Sequence, residues 1–476
     1  MKKHLLLTSI ILLVTVVSQA QWQPDVRLTN DPAASYTSYN NAWCIAANGD
    51  SVHVVWFDNR DGNDEIYYKR STDGGISWGA DVRLTNDPAQ SEIPSVAVSG
   101  SVVHVVWIDE RDGYYQIYYK RSTDGGISWG ADVRLTNSTP WSVFPSVAVS
   151  GSVVHVVWED TRDGNREIYY KRSTDGGISW GADTRLTNSS AWSDFPSVAV
   201  SGSVVHVVWQ DDRDGNFEIY YKRSTDGGSS WSADTRLTNN SAGSFELSVA
   251  VSGSVVHVVW DDDRDGNWEI YYKRSTDGGT SWGADVRLTN NSANSWYPSV
   301  AVSGSVVHVV WQDDRDGNWE IYYKLSTDGG ISWGADVRLT NAPANSEYSF
   351  VSVSGSVVHV VWQDTRDGND EIYYKRDPIG NPVGIDESFL NKNELKFSPN
   401  PFSGSTVISL SLTQSQKVSL NIFDVNGRLV TTLADASFEE GDHEITWNAA
   451  EVNAGVYFLQ FQSAENLKTE KLILTK

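Results

Sequence analysis

The sequence contains very little sulfur. Cys44 is the only cysteine and Met1 the only methionine among its 476 residues. A single thiol excludes an intramolecular disulfide, and it excludes the cysteine sets that hold structural zinc. Noncovalent packing must therefore hold the fold together.

Positive charge is scarce as well. The chain has 37 Lys and Arg residues against 61 Asp and Glu residues, which gives a net charge of −24. Such an acidic protein is repelled by the phosphates of nucleic acids and by anionic membranes. We therefore exclude nucleic acids as partners and keep divalent cations and neutral glycans in consideration.

Only one long hydrophobic run occurs, and it lies at the N-terminus. Lys2 and Lys3 precede the run "LLLTSIILLVTVV", and the small residues Ser18 and Ala20 follow it. This pattern predicts a secretory signal peptide at residues 1–20 and a mature chain that begins at Gln21. A membrane anchor is the alternative, but the run is short and a polar segment follows it at once. We expect no membrane span in the mature chain.

A repeat dominates the chain. The Trp that closes "VHVVW" recurs every 51 residues, and each unit contains short strands such as "SVVHVVWID" and "QIYYKRS" between turns rich in Gly and Asp. Short strands at even spacing are typical of a β-propeller. A solenoid is the alternative, but it would need atypical capping repeats. The sequence predicts an all-β protein with a seven-bladed propeller over residues 21–380. The repeated Trp residues are Trp56, Trp107, Trp158, Trp209, Trp260, Trp311 and Trp362.

The two ends of the repeat array complement each other. The fourth-strand motif "RLTN" first occurs at Arg27, before the first complete unit, and the seventh unit stops after "EIYYKR". Residues 24–30 are therefore predicted to complete the last blade. Closure of the ring in this way leaves no exposed sheet edge.

The string "STDGGISW" at residues 71–78 resembles the Asp box of the bacterial neuraminidase repeats, Ser-x-Asp-x-Gly-x-x-Trp. This resemblance implies a structural turn between the third and fourth strands, in which the Asp binds local backbone N–H groups and the Trp packs into the blade. Asp followed by Gly also suits a tight turn on general grounds. The Asp residues of the boxes are Asp73, Asp124, Asp175, Asp226, Asp277 and Asp328.

The C-terminal segment does not share the repeat. Alternating runs such as "TVISLSL" and "GVYFLQFQ" predict a small Ig-like β-sandwich at residues 396–476, after a linker at 381–395. The turn "VNG" indicates a hairpin. "PNP", "IFDVNGR" and "AGVYFL" resemble the C-terminal sorting domain of proteins exported by the type IX secretion system of the Bacteroidetes. The resemblance implies export by Sec, interaction with the type IX machinery, and an extracellular or outer-surface location. A carbohydrate-binding sandwich is the alternative.

The resemblance to sialidases raises the question of catalysis. That family uses three arginines, a Tyr–Glu pair and an acidic proton donor, all at unique positions. Here almost every Arg, Asp, Glu and Tyr recurs at the 51-residue step, and the Phe/Tyr-Arg-Ile-Pro motif of the family is missing. The sialidase ring usually has six blades instead of seven. We therefore predict no catalytic residues, and a sialidase-type glycoside hydrolase is the alternative.

Two features suggest metal binding at first sight. One histidine recurs in each second strand. The second strands do not line the channel, so the seven histidines would form a ring too wide to coordinate one metal ion. We therefore expect each histidine to be a packed residue with one hydrogen bond. The acidic turns at 261–269 and 313–320 suit calcium, but a salt bridge of Arg264 with Asp262, or with a carboxylate of the next blade, explains them better. We predict no metal site and no cofactor, and calcium stays an alternative. The histidines are His53, His104, His155, His206, His257, His308 and His359.

Differences between the repeats indicate where a ligand binds. They fall in the second-to-third turns and the fourth-to-first loops, which share one face in a propeller, opposite the Asp boxes. Aromatic rings beside acidic and amide groups suit sugars, although some rings could simply fill gaps between blades. We predict an exported, monomeric recognition protein for a glycan or an extracellular protein; a structural or adhesive surface protein is a further alternative. The candidate ligand-binding residues are Trp141, Trp192, Phe217, Trp268, Trp296, Tyr297 and Trp319.

Overall fold

The structure, a computed structural model, describes residues 22–39, 43–380, 395–412, 415–424, 428–439, 441–463 and 467–475. The described residues form two compact units, 22–380 and 395–475. Both units consist of β-strands, which confirms the all-β prediction. The predicted signal peptide and most of the predicted linker lie outside the described residues. No helix among the described residues is long and apolar enough to cross a membrane.

The first unit contains seven antiparallel sheets, and this number confirms the predicted seven-bladed propeller. Within a blade the strands follow one another outwards from the central channel. The inner strands are β2 (Ser35–Tyr36) with β3 (Ile45–Asn48), β7 (Ser91–Ser99), β11 (Ser142–Ser150), β15 (Ser193–Ser201), β19 (Ser244–Ser252), β23 (Ser295–Ser303) and β27 (Ser346–Ser354). The second strands are β4 (Ser51–Asp58), β8 (Val102–Asp109), β12 (Val153–Asp160), β16 (Val204–Asp211), β20 (Val255–Asp262), β24 (Val306–Asp313) and β28 (Val357–Asp364).

The two outer strands of each blade are shorter or more exposed. The third strands are β5 (Glu65–Ser71), β9 (Gln116–Ser122), β13 (Glu167–Ser173), β17 (Glu218–Ser224), β21 (Glu269–Ser275), β25 (Glu320–Ser326) and β29 (Glu371–Asp377). The fourth strands are β6 (Val82–Arg83), β10 (Val133–Arg134), β14 (Thr184–Arg185), β18 (Thr235–Arg236), β22 (Val286–Arg287), β26 (Val337–Arg338) and, for the last blade, β1 (Val26–Arg27).

The N-terminal strand closes the ring. Val26 pairs with Tyr374 and Arg27 with Tyr373, so β1 is the fourth strand of the seventh blade. The segment also supplies Trp22, whose ring packs edge-on against Tyr323 at 5.0 Å, in the way that an Asp-box Trp packs in the other blades. Closure is therefore confirmed, and it begins earlier in the chain than the predicted residue 24.

A buried aspartate ends each second strand and organises its blade. In the second blade the Asp109 carboxylate accepts hydrogen bonds from Trp107 Nε1 at 2.9 Å and from Ser91 Oγ at 2.9 Å. It also accepts from Arg111 Nε at 2.7 Å and from Arg111 Nη2 at 2.5 Å. Arg111 reaches on to Asp132 on the outer side of the blade at 2.9 Å. The equivalent network of the fifth blade contains a salt bridge between Arg264 and Asp262 at 2.5 Å, so Asp262 is one of the two partners that the sequence predicted for Arg264 and is confirmed.

The histidines hold the contacts between blades. Nδ1 of His53 is hydrogen-bonded to the Tyr68 hydroxyl at 2.7 Å, and burial lowers the pKa of His53 to about 4. The Tyr68 ring packs edge-on against Trp129 of the next blade, with 4.9 Å between centroids. Each histidine is thus a packed residue that is hydrogen-bonded to a Tyr of its own blade, which confirms the predicted packing role.

The Asp boxes form turns on the face opposite the second-to-third turns. Asp73 Oδ1 accepts hydrogen bonds from the backbone N–H groups of Ile76 at 3.0 Å and Ser77 at 2.8 Å. These bonds, with those from the Ser77 and Ser71 hydroxyls, hold the pKa of Asp73 far below its usual range. The box Trp78 packs against Tyr374 of the neighbouring blade, so it stabilises the junction between two blades.

The second unit contains a three-stranded sheet, ordered β30-β31-β34, and a four-stranded sheet, ordered β33-β32-β35-β36. Phe402, Ile408, Leu420, Trp447 and Leu459 belong to one buried core. The predicted hairpin pairs β32 with β33, and its turn "VNG" lies outside the described residues. The strands are β30 (Leu395–Ser398), β31 (Ser405–Leu412), β32 (Gln416–Asp424), β33 (Leu429–Phe438), β34 (Gly441–Asn448), β35 (Gly455–Ser463) and β36 (Leu467–Leu474).

Close packing at the junction between blades predicts different losses of stability when two glycines with positive φ are replaced by alanine. A Cβ on Gly228 in the Asp box would lie 1.9 Å from the Tyr170 hydroxyl, whereas a Cβ on Gly253 would meet nothing within 4 Å. Gly253→Ala should cost about 1–2 kcal/mol of unfolding free energy, from the left-handed backbone alone. Gly228→Ala should cost roughly 2–5 kcal/mol, because Tyr170 must also move. Chemical denaturation of both variants measures the difference, and equal losses would contradict this account.

Candidate ligand-binding face

The positions that differ between repeats lie on one face of the propeller, which we call the variable face. There the N–H of Ser295, at the start of an inner strand, donates to the carbonyl of Trp268 in the turn of the preceding blade, at 2.9 Å. At the opposite end the N–H of Gly278 in an Asp box donates to the carbonyl of Ser254 in an inner turn, at 2.8 Å. The predicted separation of variable turns from Asp boxes is confirmed.

An arc of aromatic rings crosses three neighbouring blades of the variable face. Its members alternate between the turn after a second strand and the second residue of an inner strand, and all are half-buried. The successive ring centroids are 5.2, 5.4, 6.0 and 5.0 Å apart. We call these residues the aromatic arc: Phe217, Phe245, Trp268, Trp296 and Trp319.

Carboxylates occupy the equivalent positions on the other side of the face. Glu92 accepts a hydrogen bond from the Tyr115 hydroxyl at 3.4 Å. Burial and the nearby charge of Asp64 raise the pKa of Glu92 to about 7. Glu347 lies near Asp370, and burial with that charge raises its pKa as well. This side of the face therefore presents carboxyl groups where the aromatic arc presents rings.

Every described inner strand from the second to the seventh blade has a β-bulge near the variable face, and the bulged residue has a positive φ. In β23, for example, the register shifts between Trp296 and Ser299. Non-glycine residues rarely adopt this conformation, and such strain concentrates at functional sites. We call the bulged residues the mouth residues: Ile93, Phe144, Phe195, Glu246, Tyr297 and Tyr348.

Mouth residues of neighbouring blades touch one another at the end of the channel. Phe144 stacks on Phe195 with 4.5 Å between centroids, and Tyr297 packs edge-on against Tyr348 at 4.7 Å. Tyr39 of the first blade continues this row, with its centroid 5.4 Å from that of Tyr348. Because these rings converge from separate blades, they surround the mouth of the channel.

The residue after the repeated Trp supports the strained backbone of the next blade. Gln312 Oε1 accepts a hydrogen bond from the N–H of Tyr348 at 2.9 Å, and Asp261 Oδ2 accepts one from Tyr297 at 3.2 Å. The equivalent Gln210 accepts from Glu246 at 3.4 Å. A buried acceptor at this position therefore supports the bulge.

Four carboxyl groups lie buried or half-buried beside the mouth. Glu159 is 2% and Asp194 1% exposed, and both form ion pairs with Arg166, at 3.4 and 3.0 Å. Burial and the charge of Asp194 raise the pKa of Glu159 to about 8, and burial raises that of Asp194 to about 6. Burial also raises the pKa values of Glu246 and Asp261 far above the usual range.

The side chains that line the channel are mostly small and apolar. The channel encloses about 240 Å³ and is lined mainly by Ala and Val side chains of the inner strands. Throughout the described parts of the chain, no group of three or more His, Cys, Asp or Glu residues could hold a metal ion. A ligand would therefore meet polar and aromatic groups at the mouth and around it.

The structure places all the predicted ligand-binding residues on the variable face but does not bring them all together. Phe217, Trp268, Trp296 and Trp319 form the aromatic arc, and Tyr297 lies at the mouth. Trp141 and Trp192 are 52% and 48% exposed and lie outside the arc. The Trp192 ring lies beneath the Arg166 guanidinium, 4.7 Å from its carbon.

Sequence reasoning missed the buried carboxyl groups at the mouth. Glu159 and Asp261 follow the repeated Trp, at a position that holds Gln in three other blades, Gln210, Gln312 and Gln363. Glu246 stands where other blades have aromatic residues or Ile93. The signal is present in the sequence as variation between repeats within the strands, whereas the predicted ligand-binding residues come from variation in the turns and loops.

Comparisons with known proteins identify the second unit. Residues 396–475 match the family model for the secretion system C-terminal sorting domain. The chain therefore carries an export tail, and it is a protein sent by type IX secretion to the cell surface or the extracellular space. No curated protein sequence matches the chain.

Among solved structures, polysaccharide lyase Uly1 matches with a TM-score of 0.51 and 9% identity, over 75% of this chain and 99% of that chain. At this identity the likeness shows the fold alone. Phage phi92 endosialidase has a TM-score of 0.48 and 10% identity, over 95% of this chain and 88% of that chain. Trypanosoma rangeli sialidase has a TM-score of 0.45 and 12% identity, over 83% of this chain and 85% of that chain.

The buried carboxyl groups predict an unusual pH dependence. Because the pKa of Glu159 is raised on folding, its contribution to stability is complete below pH 4 and is lost as the pH rises towards 8. Glu159→Gln, which copies the residue of three other blades, should therefore stabilise the protein by roughly 1–3 kcal/mol at alkaline pH and by less at mildly acidic pH.

Urea unfolding at the two pH values measures this difference. Asp211→Asn is the control, and its effect on stability should have the opposite sign. Arg213 holds the pKa of Asp211 below its usual value, although burial acts in the other direction. Asp211→Asn should therefore destabilise the protein at both pH values. A Glu159→Gln effect that does not change with pH would show that Glu159 is ionised in the folded protein throughout.

Proposed function

We propose that this exported protein is a recognition propeller that binds a glycan through its variable face, without catalysing a reaction. The aromatic arc is the observation that carries the proposal. Its half-buried rings offer apolar surface to solvent, and the apolar faces of sugar rings stack on such surfaces. Carboxylates and amides around the mouth are acceptors for sugar hydroxyls.

The arc is not explained by the needs of the scaffold. The position of Trp268 and Trp319 is occupied by Asp64 and Asp370 in other blades, which have the same strands and turns. The rings do pack against one another across blades, but packing at this position does not require an aromatic residue. A ligand-binding role accounts for their concentration in neighbouring blades.

The distribution of arginines favours recognition over sialidase-type catalysis. Arg166 is the only Arg or Lys at a variable position of the described face. The recurring arginines of the turns are bound to the buried aspartates, as Arg213 is to Asp211 at 2.5 Å. A carboxylated sugar would therefore meet several carboxylates and one further guanidinium, which is already ion-paired with Glu159 and Asp194.

Substitution of the arc tests this proposal. Trp268→Ala and Trp319→Ala should each weaken glycan binding at least tenfold, which is about 1.4 kcal/mol, because each removes a stacking surface. Binding would be found on a glycan array and then measured by calorimetry. Ile127→Thr is the matched control: Ile127 is 69% exposed on the Asp-box face, and Thr280 occupies its position in another blade.

Other results would favour the other candidate functions. Release of sialic acid from a fluorogenic substrate by the purified protein would contradict a non-catalytic role and support the hydrolase alternative. Absence of glycan binding, together with loss of cell attachment when the gene is deleted, would support a structural or adhesive role.

A further inference from the structure

Glu246 is the one charged residue among the mouth residues, whose other members are aromatic or, at Ile93, aliphatic. Its Oε2 atom is buried and has no hydrogen-bond partner among the described residues. None of the described Lys or Arg side chains forms an ion pair with it. The carboxyl group is therefore held at the channel mouth without a counter-ion from the protein.

Asp261 is a second carboxyl group of this kind, in the blade that contains Glu246. It is 1% exposed and accepts a hydrogen bond from the N–H of Tyr297, and again no described Lys or Arg pairs with it. Burial, together with the negative charges of Asp261 and Asp194, raises the pKa of Glu246. Phe245, the residue before Glu246, pairs with Asp261 across β19 and β20. The two carboxyl groups thus belong to one local site.

The scaffold treats its other buried carboxylates differently. The aspartates that end the second strands, such as Asp262, are each bound by an arginine of the following turn. Gln replaces Asp261 in three blades, and Tyr replaces Glu246 in two. A buried carboxyl group without a counter-ion costs several kcal/mol when ionised, so burial raises the pKa of both acids in the free protein. Gln can accept the backbone hydrogen bond that Asp261 accepts, as Gln312 does. A cationic ligand would supply the missing counter-ion and favour the ionised carboxylates. The presence of these two acids points to a ligand.

The surroundings suit an organic cation. Tyr297, the mouth residue of the blade after that of Glu246, begins a row of rings that continues with Tyr348 and Tyr39, with successive centroids 4.7 and 5.4 Å apart. Aromatic faces attract ammonium groups, and more strongly where water is excluded. The site lacks the three acidic ligands that a metal ion would need, so a protonated amine fits better than a metal ion.

We propose that Glu246 and Asp261 form a subsite for the protonated amino group of an amino sugar, so that the recognised glycan is cationic. This inference rests on the proposed glycan recognition and names its ligand class. The carboxylates of Asp64, Glu92, Glu347 and Asp370 surround the same face and disfavour acidic sugars. The aromatic arc supplies stacking surface for the neighbouring sugar rings.

Two oligosaccharides of equal length test the proposal: β-1,4-linked glucosamine and its fully N-acetylated form. Calorimetry near pH 6, where amino sugars are largely protonated, should show at least tenfold tighter binding of the glucosamine oligomer, with an affinity that falls as salt rises. Asp261→Gln and Glu246→Tyr, which copy other blades, should remove this preference. Glu246→Gln serves as the second variant if the larger side chain disturbs folding.

The controls separate this inference from the function on which it rests. Equal affinity for the two oligomers, or a preference unchanged in the variants, would overturn the amine subsite and leave glycan recognition standing. Binding of neither oligomer, with no hit on a glycan array, would contradict the proposed function itself. A lysine oligopeptide that binds more tightly than the glucosamine oligomer, in a manner dependent on Glu246, would overturn the glycan assignment in favour of a basic protein segment.

Discussion

The buried aspartate at the end of each second strand is the interaction on which the propeller depends. Its carboxylate accepts hydrogen bonds from the repeated Trp of its own strand, from the first Ser of the inner strand and from the Arg of the following turn. In the second blade these donors to Asp109 are Trp107, Ser91 and Arg111. Each oxygen accepts several bonds, so the buried charge is fully compensated. The Arg guanidinium also lies over the ring of a third-strand Tyr, as Arg111 lies 4.5 Å from the Tyr118 centroid.

This compensation separates the scaffold from the proposed ligand-binding positions. The residue directly before the aspartate, the bulged residue of the inner strand and the residue of the turn all lie next to the network without belonging to it. They can therefore change from blade to blade while the strands keep their register. The turn position, for example, is occupied by Asp64, Arg166 and Trp268 in three blades of the same molecule. The result is an asymmetric surface on a nearly symmetric ring.

The symmetric part of the molecule could be predicted from the sequence because each blade repeats it. The 51-residue step gives the number of blades, and the orphan "RLTN" at Arg27 gives the closure. The mouth was not predictable in the same way. Its geometry depends on a bulge at which ordinary residues such as Phe195, rather than glycine, take a positive φ, and no residue type signals this. The aromatic arc was predicted residue by residue in most cases, but its continuity depends on Phe245, which connects rings from neighbouring blades.

Strain and uncompensated charge occur at the same end of the channel, and this coincidence has a physical meaning. A non-glycine residue in the left-handed region costs about 1–3 kcal/mol, and a buried carboxyl group without a counter-ion adds to that cost. The fold contains an uncharged alternative in its own repeats, since Gln210 and Gln312 support the bulge of the next blade without charge. Six closely similar blades, each closed by an Asp-box turn, supply the stability that tolerates these local costs. The mouth thus holds side chains in positions that the folding of the propeller alone would not select, which is expected of a preorganised binding surface.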